Sequence, residues 1–434
     1  MKEFIDYINS KVLVKIASLQ IFAVLTRIIA GLLTSKAIAV FIGAEGMALI
    51  GNLRNFVSAS QITASAGLYK GIVKYIGEFK ESTSDLSRVI STAFYTGFIT
   101  TVFVCFFCYI KADWINDFIF PNYNDYAYVI KIFAVALPFY ILNMFSFSIM
   151  NGFSKYKILI VINIIGQVLS VSITLILIYQ NKIDGALISA VISESLIFLI
   201  TLVGIINRRS LVPLIKASMF RFSTLKKMGF YSLMAFFSAV LLPIVAIAIR
   251  SYIIENIGYK DAGFWEAMTR ISKYYLMFIS SLIGLYLLPR FSEIKSNIEF
   301  KHEVFSFYKR IFPFLSGGFL LIYFLRKYIV LAVLTPEFEP VEDLFLWQLL
   351  GDFVKVLAIV IAYQFLAKKM FWHYVLTEAF LIITLYSTSI YFIDLFKGIE
   401  GAVIAHFVSY IMYFGIILLI FGGSLFGVDS GEKD

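Results

Sequence analysis

Ile183-Asp184-Gly185-Ala186 opens an apolar run over 184–206, and 216 residues later Ile399-Glu400-Gly401-Ala402 opens another over 400–423. Further pairs recur at 216 residues or within one of it. Ser193 matches Ser409, and Pro121 matches Pro336. Gly43, Gly46 and Arg54 correspond to Gly258, Gly263 and Arg270, with the offset drifting between 215 and 217. Several matches at an interval close to half of 434 residues read as an internal duplication. Each half carries six apolar runs, an even number, so both enter a membrane with the same orientation. Such halves are expected to be related by a pseudo-twofold along the membrane normal, with a shared cavity at their interface. The expected organisation is a first lobe over 1–206, a basic linker over 207–228 and a second lobe over 229–434.

Composition places the chain in the bilayer. It is 60% hydrophobic and 15% charged, with a mean hydropathy of +0.87, far from the balance of a soluble globular protein. Runs of roughly 20 apolar residues suffice to cross the hydrocarbon layer. Twelve are predicted, over 13–41, 46–72, 89–110, 127–150, 157–179, 184–206, 229–254, 262–288, 310–333, 344–366, 371–393 and 400–423. The predicted fold class is therefore an all-α integral membrane protein whose two six-helix lobes surround a cavity. The first run is long and interrupted by Lys15 and Arg27, so it reads as a span rather than a cleaved signal peptide. Cys105 and Cys108 make a C-x-x-C, the spacing of redox or metal chemistry, but with no further His or Cys nearby they read as apolar filler.

The net charge of +9 is a matter of topology, not of nucleic-acid binding. With both termini inside, inner segments hold twenty-one Lys/Arg and outer segments six. That is the positive-inside bias, and it predicts cytoplasmic termini. The linker contributes Arg208, Arg209, Lys216, Arg221, Lys226 and Lys227. Its alternation with Leu211, Leu214, Ile215 and Phe220 fits either an amphipathic helix on the inner surface or a plain solvated connection.

Ten cations lie within or at the edges of spans: Lys15, Arg27, Lys36, Arg54, Lys70, Lys131, Arg250, Arg270, Lys273 and Lys355. The acids able to offset them there are Glu194, Glu266, Asp352 and Glu378. A charge near the bilayer centre costs roughly 3 kcal/mol on insertion scales, so such residues face a bundle interior or a watery cavity. The excess is cationic, which points to an anionic ligand. Lys15, Lys70 and Lys131 sit near helix ends, where they can snorkel to the surface. The seven others form the candidate anion site.

Helical spacing groups several of these residues into stripes. The second span aligns Arg54, Ser58, Gln61 and Ser65. The eighth aligns Glu266, Arg270, Lys273 and Ser280 or Ser281, and the first aligns Gln20, Arg27 and Thr34. Small and polar residues on such faces serve helix packing as well as they serve a cavity. Arg54 and Arg270 are repeat counterparts, expected on opposite walls, and arginine's planar fork matches phosphate oxygens. Arg270 also lies four residues from Glu266, within reach of a simple ion pair. Asp352 and Lys355, three apart, are placed either to neutralise each other or to form an ion-sensitive pair. Glu378 and Glu194 are further titrating candidates, and Ser58, Gln61 and Gln348 are candidate sugar contacts. His302, His373 and His406 make no ligand spacing. No Walker A, H-E-x-x-H or G-x-S-x-G motif occurs, which argues against an ATP-driven pump or a hydrolase. No catalytic or metal-ligating residue is assigned.

Gly258 to Pro289, containing Phe264-Trp265-Glu266 and running into Leu285-Tyr286-Leu287-Leu288-Pro289-Arg290, resembles the Wzx-type lipid-linked oligosaccharide flippases, or O-antigen translocases. So does Asp343-Leu344-Phe345-Leu346-Trp347-Gln348-Leu349-Leu350-Gly351-Asp352-Phe353-Val354-Lys355. Ala30-Gly31-Leu32-Leu33 with Lys36, Asn52-Leu53-Arg54, and Gly71-Ile72-Val73-Lys74-Tyr75 extend the likeness over nearly the whole chain. The resemblance implies the fold of the multidrug/oligosaccharidyl-lipid/polysaccharide exporter superfamily, switching between inward- and outward-open states. It implies a substrate of undecaprenyl pyrophosphate carrying a short oligosaccharide, such as an O-antigen, enterobacterial common antigen or lipid III-like unit. That substrate would move from the inner to the outer leaflet of the bacterial cytoplasmic membrane. By motif it carries over Lys36, Arg54, Lys74, Asp352 and Lys355, whereas Glu266, Arg270 and Lys273 depart from the pattern.

The expected pyrophosphate site is Arg27, Lys36, Arg54, Arg250, Arg270, Lys273 and Lys355. Asp352, Glu378 and Glu266 are coupling candidates for H+ or Na+, with no other cofactor. The expected partners are the lipid-linked oligosaccharide and the bilayer, with a polysaccharide polymerase and chain-length regulator as further candidates, no nucleic acid, and a monomeric chain. The rivals are a multidrug extruder, which should line its cavity with acids, and a polysaccharide polymerase, which needs longer loops.

Overall fold

The duplicated Ile-acid-Gly-Ala stretches mark the same structural device in both halves. The computed structural model describes residues 2–206, 212–294 and 296–427. Arg208, Arg209, Leu211, Lys295 and the side chains of Lys15 and Gln20 lie outside the described residues. At each stretch one helix ends, the chain turns at a lysine with positive φ (47° at Lys182, 53° at Lys397), and the next helix packs back on the first. The glycine permits the approach. A Cβ at Gly185 would overlap Leu177 O, and one at Gly401 would lie 2.5 Å from Ile393 N. A hydroxyl pair follows in each half, Thr174 with Ser193 at 3.3 Å and Thr388 with Ser409 at 2.8 Å. Replacing Gly401 with alanine forces two backbones apart and should lower stability by about 1–3 kcal/mol in thermal unfolding. Gly415→Ala is the control, because a Cβ there meets nothing within 4 Å.

All thirteen longer elements among the described residues are α-helices: α1 (Lys2–Phe41), α2 (Gly43–Ala64), α3 (Tyr69–Glu78), α4 (Thr83–Ile110), α5 (Ala112–Ile119), α6 (Ala127–Gly152), α7 (Tyr156–Ile206), α8 (Phe222–Asn256), α9 (Tyr259–Glu293), α10 (Asn297–Val333), α11 (Val341–Ala367), α12 (Phe371–Phe396) and α13 (Glu400–Phe426). Each predicted span falls on one of them except the second, which is divided between α2 and α3. α7 holds two spans across its bend at Lys182. Nine helices among the described residues are long and apolar enough to cross a membrane, with α7 counted once. The two predicted spans outside that set are α2, which is the more polar, and α9, where the side chains of Leu282, Leu285, Leu288 and Pro289 lie outside the described residues.

The chain divides into two compact units, Met1–Ile247 and Ala248–Asp434. In the first, α7 packs along α1 and α6, and α4 packs on α6. The predicted second span is broken over 65–68, where Ala66 and Gly67 take positive φ, and α3 continues as a separate amphipathic helix. Leu68, Ile72 and Ile76 pack there with Leu86, Val89, Ile90, Ile149 and Met228.

Over its described residues 212–221 the linker takes neither of the forms read from its sequence, and residues 222–228 form the start of α8. Over Val212–Leu214 and Ala217–Met219 it makes two short 3-10 turns that lie against α4. Ser87 and Ser91 donate to Leu214 O at 2.6 and 3.1 Å, Lys216 N–H donates to Ser91 Oγ at 2.9 Å, and Arg221 N–H donates to Thr92 Oγ1 at 3.2 Å. Pro213 lacks an N–H, and the hydroxyl row on α4 supplies the partners that a helix would have taken from itself. Leu214 and Ile215 join the apolar cluster below. In the second unit α13 packs along α11 and α12, while α9 and α10 pack on α11.

Candidate functional site

The spacing of Glu266, Arg270 and Lys273 places three charges on one face of α9. Asp261 in its first turn and Arg290 in its last both suit the helix dipole. Arg250, from α8, reaches the same carboxylate. It ion-pairs with Glu266 Oε2, while Arg270 Nε donates to Glu266 Oε1 at 2.8 Å. One oxygen serves each guanidinium. Arg250 is fully buried, and its guanidinium lies 5.1 Å from the Trp265 ring centroid. All three charged side chains are buried, two positive and one negative. The ion pair anticipated between Glu266 and Arg270 is present, but a second arginine shares it, so these three side chains together carry one net positive charge. Arg270 Nη1 and Nη2 are buried and have no hydrogen-bond partner among the described residues. Buried polar groups are almost always bonded, and an uncompensated charge is costlier still. Two guanidinium nitrogens aimed at no protein acceptor form the end of a fork, the geometry that takes a carboxylate or phosphate.

A second polar cluster lies on α11. Asp352, fully buried, accepts from Ser272 Oγ and Tyr275 OH of α9 at 2.5 Å each, and from Gln348 Nε2 at 3.2 Å. His406 Nε2 of α13 donates to its other oxygen at 3.0 Å. Asp352 and Lys355 make no direct ion pair within 4 Å among the described residues. Lys355 lies over the Tyr410 ring, 5.2 Å from its centroid, and neighbours on α9, α11 and α13 satisfy the carboxylate. Gly351 makes room for the imidazole, since a Cβ there would also sit 3.2 Å from Phe407 Cα. Farther along α13, Tyr413 OH donates to Glu378 Oε1 of α12 at 2.9 Å.

His406 had drawn no role from its sequence. It stands 54 residues from Asp352, and no local spacing links them. The available signal was His406, Tyr410 and Tyr413 at i, i+4 and i+7, a polar stripe on an otherwise apolar helix.

The structure thus joins Arg250, Glu266 and Arg270, and separately Gln348 and Asp352, with Lys355 and Glu378 each against a tyrosine of α13. Lys273 is exposed one turn beyond Arg270. In the first unit Gln61 Nε2 donates to Glu194 Oε2 at 3.1 Å, while Lys36, Arg54 and Ser58 are half-buried. The stripe on α1 does not share one environment. Thr34 is buried, with its hydroxyl on Ala30 O, but Arg27 is exposed.

The polysaccharide biosynthesis protein family model matches residues 37–343, well over half of the chain. The lipid III flippase of Escherichia coli (strain K12) is 27% identical over 401 residues, which cover 92% of this chain and 95% of that protein. Among solved structures, an inward-facing multidrug resistance MATE family transporter of the MOP superfamily superposes with a TM-score of 0.77 at 13% identity. That match covers 93% of this chain and 95% of the transporter. The lipid II flippase MurJ in an inward closed conformation gives a TM-score of 0.69 at 14% identity, covering 94% of this chain and 87% of MurJ. These two structures establish the fold.

Proposed function

The chain belongs to the polysaccharide biosynthesis protein family, and from that premise we propose that it is a flippase for a polyprenyl-pyrophosphate-linked oligosaccharide. The observation that carries this reading is the pair of arginines on one buried carboxylate, with Arg270 Nη1 and Nη2 left for an anion. Glu266 holds both guanidinium groups in place and cancels one of their charges. The remaining charge and the open fork suit a diphosphate, whose oxygens complete the buried hydrogen bonds that the protein leaves open. The likeness to a lipid III flippase over 92% of the chain supports the same substrate class. An extruder of cationic drugs has the same fold but needs the opposite charge at its binding site.

The protein is multi-pass in the membrane. We place it in the cytoplasmic membrane with both termini inside, on the distribution of Lys and Arg between its loops. Substrate can bias the two access states only through different affinities for them, so the arginine cluster has to bind diphosphate unequally in each. Asp352 with His406, and Glu378 with Tyr413, are the groups we assign to coupling with H+ or Na+. The protein reconstituted in vesicles should move an undecaprenyl-pyrophosphate oligosaccharide between leaflets and leave a cationic dye in place. Dye transport without glycolipid movement overturns the reading.

A further inference from the structure

Where α3 ends and α4 and α8 begin, the first unit contains a cavity of about 330 Å³ that no part of the transport reading uses. Its size is in the range of small-molecule sites, roughly 300–1,000 Å³. Arg88, Arg221 and Lys227 line it, together with Asp85, Thr224 and Tyr75. The acid is already committed. Asp85 Oδ1 accepts from Arg88 Nη1 at 2.9 Å, and Oδ2 accepts from Ser82 Oγ at 2.8 Å. Arg221 Nη1 donates to Ser218 O and Phe220 O, at 3.1 and 2.9 Å. Those two carbonyls hold the guanidinium at the cavity while Nε and Nη2 remain for a ligand. Lys227 has no carboxylate within 4 Å among the described residues. Three cations against one acid leave a charge of about +2 on a small concave surface.

The elements that form this cavity are not loosely placed. The segment carrying Arg221 is tied to α4 through Ser87, Ser91 and Thr92, so the cations keep their spacing. The stretch 212–228 contains Lys216, Arg221, Lys226 and Lys227 and no acid. On the Lys/Arg bias this is the cytoplasmic end of the helices, where anionic headgroups lie against the protein and basic pockets between helices take their phosphates.

We propose that this cavity is a phosphate-binding site, recognising the phosphate of an anionic phospholipid headgroup or the same group in solution. Guanidinium and ammonium groups hold the oxygens, and the Thr224 hydroxyl is placed to donate a further hydrogen bond. Because the site lies wholly within the first unit, it stands or falls independently of what Arg270 binds.

The test uses the full chain in nanodiscs of phosphatidylcholine with a minor share of phosphatidylglycerol, with retained anionic lipid counted by native mass spectrometry. A second arm titrates inorganic phosphate into the protein in phosphatidylcholine discs. In one arm or the other, R221Q/K227Q should lower occupancy at least tenfold. K301Q/K309Q, at exposed positions on α10, should leave it unchanged. K227Q alone, at an exposed side chain, should show a smaller loss and guards against misfolding of the double variant. Loss confined to the lipid arm assigns the source as a headgroup, and loss confined to the phosphate arm assigns a soluble ligand. Equal loss in both variant pairs, retention undiminished in R221Q/K227Q, or no binding in either arm overturns the proposal.

Discussion

Glu266→Ala is expected to lower the unfolding free energy by about 3–5 kcal/mol, because it removes the carboxylate that two buried arginines share. The carboxylate is the one acid bonded to both. Arg250 is the more exposed to this loss in energetic terms, since its guanidinium is sealed from solvent on α8 and against Trp265. Chemical unfolding in detergent micelles measures the effect. The same logic predicts a rescue. Replacing all three residues with apolar side chains of similar volume, as in R250M/E266M/R270M, removes the buried charges altogether and should restore stability to near the parent value. That triple variant should fold and fail to transport. A stable E266A, or a triple variant as unstable as E266A, contradicts the assignment of Glu266 as the common partner.

Arg270→Gln is expected to reduce glycolipid translocation by at least tenfold while leaving the fold nearly intact. Glu266 then still pairs with Arg250, so no carboxylate is stranded. What is lost is the open end of the fork, Nη1 and Nη2. Hydrogen bonds to charged groups are worth roughly 1.5–3 kcal/mol each, and 1.4 kcal/mol is a factor of ten, so two such bonds account for a large loss. R270K keeps the charge but not the planar fork and should fall between the two. Initial rates in reconstituted vesicles, with unfolding followed in parallel, separate this effect from that of E266A. Parent-like transport by R270Q would remove Arg270 from the binding site.

Much of this architecture is legible in the chain because its causes are local or periodic. The apolar runs mark the helices, and the 216-residue offset locates two elbows whose lysines, glycines and Thr–Ser pairs match in detail. Helical spacing also finds the Glu266–Arg270 stripe. It does not find the third member. Arg250 lies 16 residues away on another helix, and its approach depends on how α8 packs against α9. His406 escapes for the same reason, because α13 brings it to Asp352 across 54 residues. The stretch 212–221 of the linker departs from its reading because apolar–basic alternation suits either a surface helix or a solvated connection. Ser87, Ser91 and Thr92 hold it through side-chain bonds that no pattern within the linker announces. The break after α2 falls at Ala66 and Gly67, both at positive φ, and Gly67 is its sign in the sequence, placed inside a stretch apolar enough to read as one span.

A buried pair of arginines that share Glu266 is expected to receive a diphosphate. Vesicles reconstituted with the full chain can be offered two lipids that share a polyprenyl tail and oligosaccharide, one joined through pyrophosphate and the other through a neutral linkage. Initial transbilayer rates are then compared for the parent protein and R270Q. The parent should move the pyrophosphate lipid at least tenfold faster than its neutral counterpart, and R270Q should lose that preference. Equal rates for the two lipids in the parent protein, or an undiminished preference in R270Q, would contradict the account.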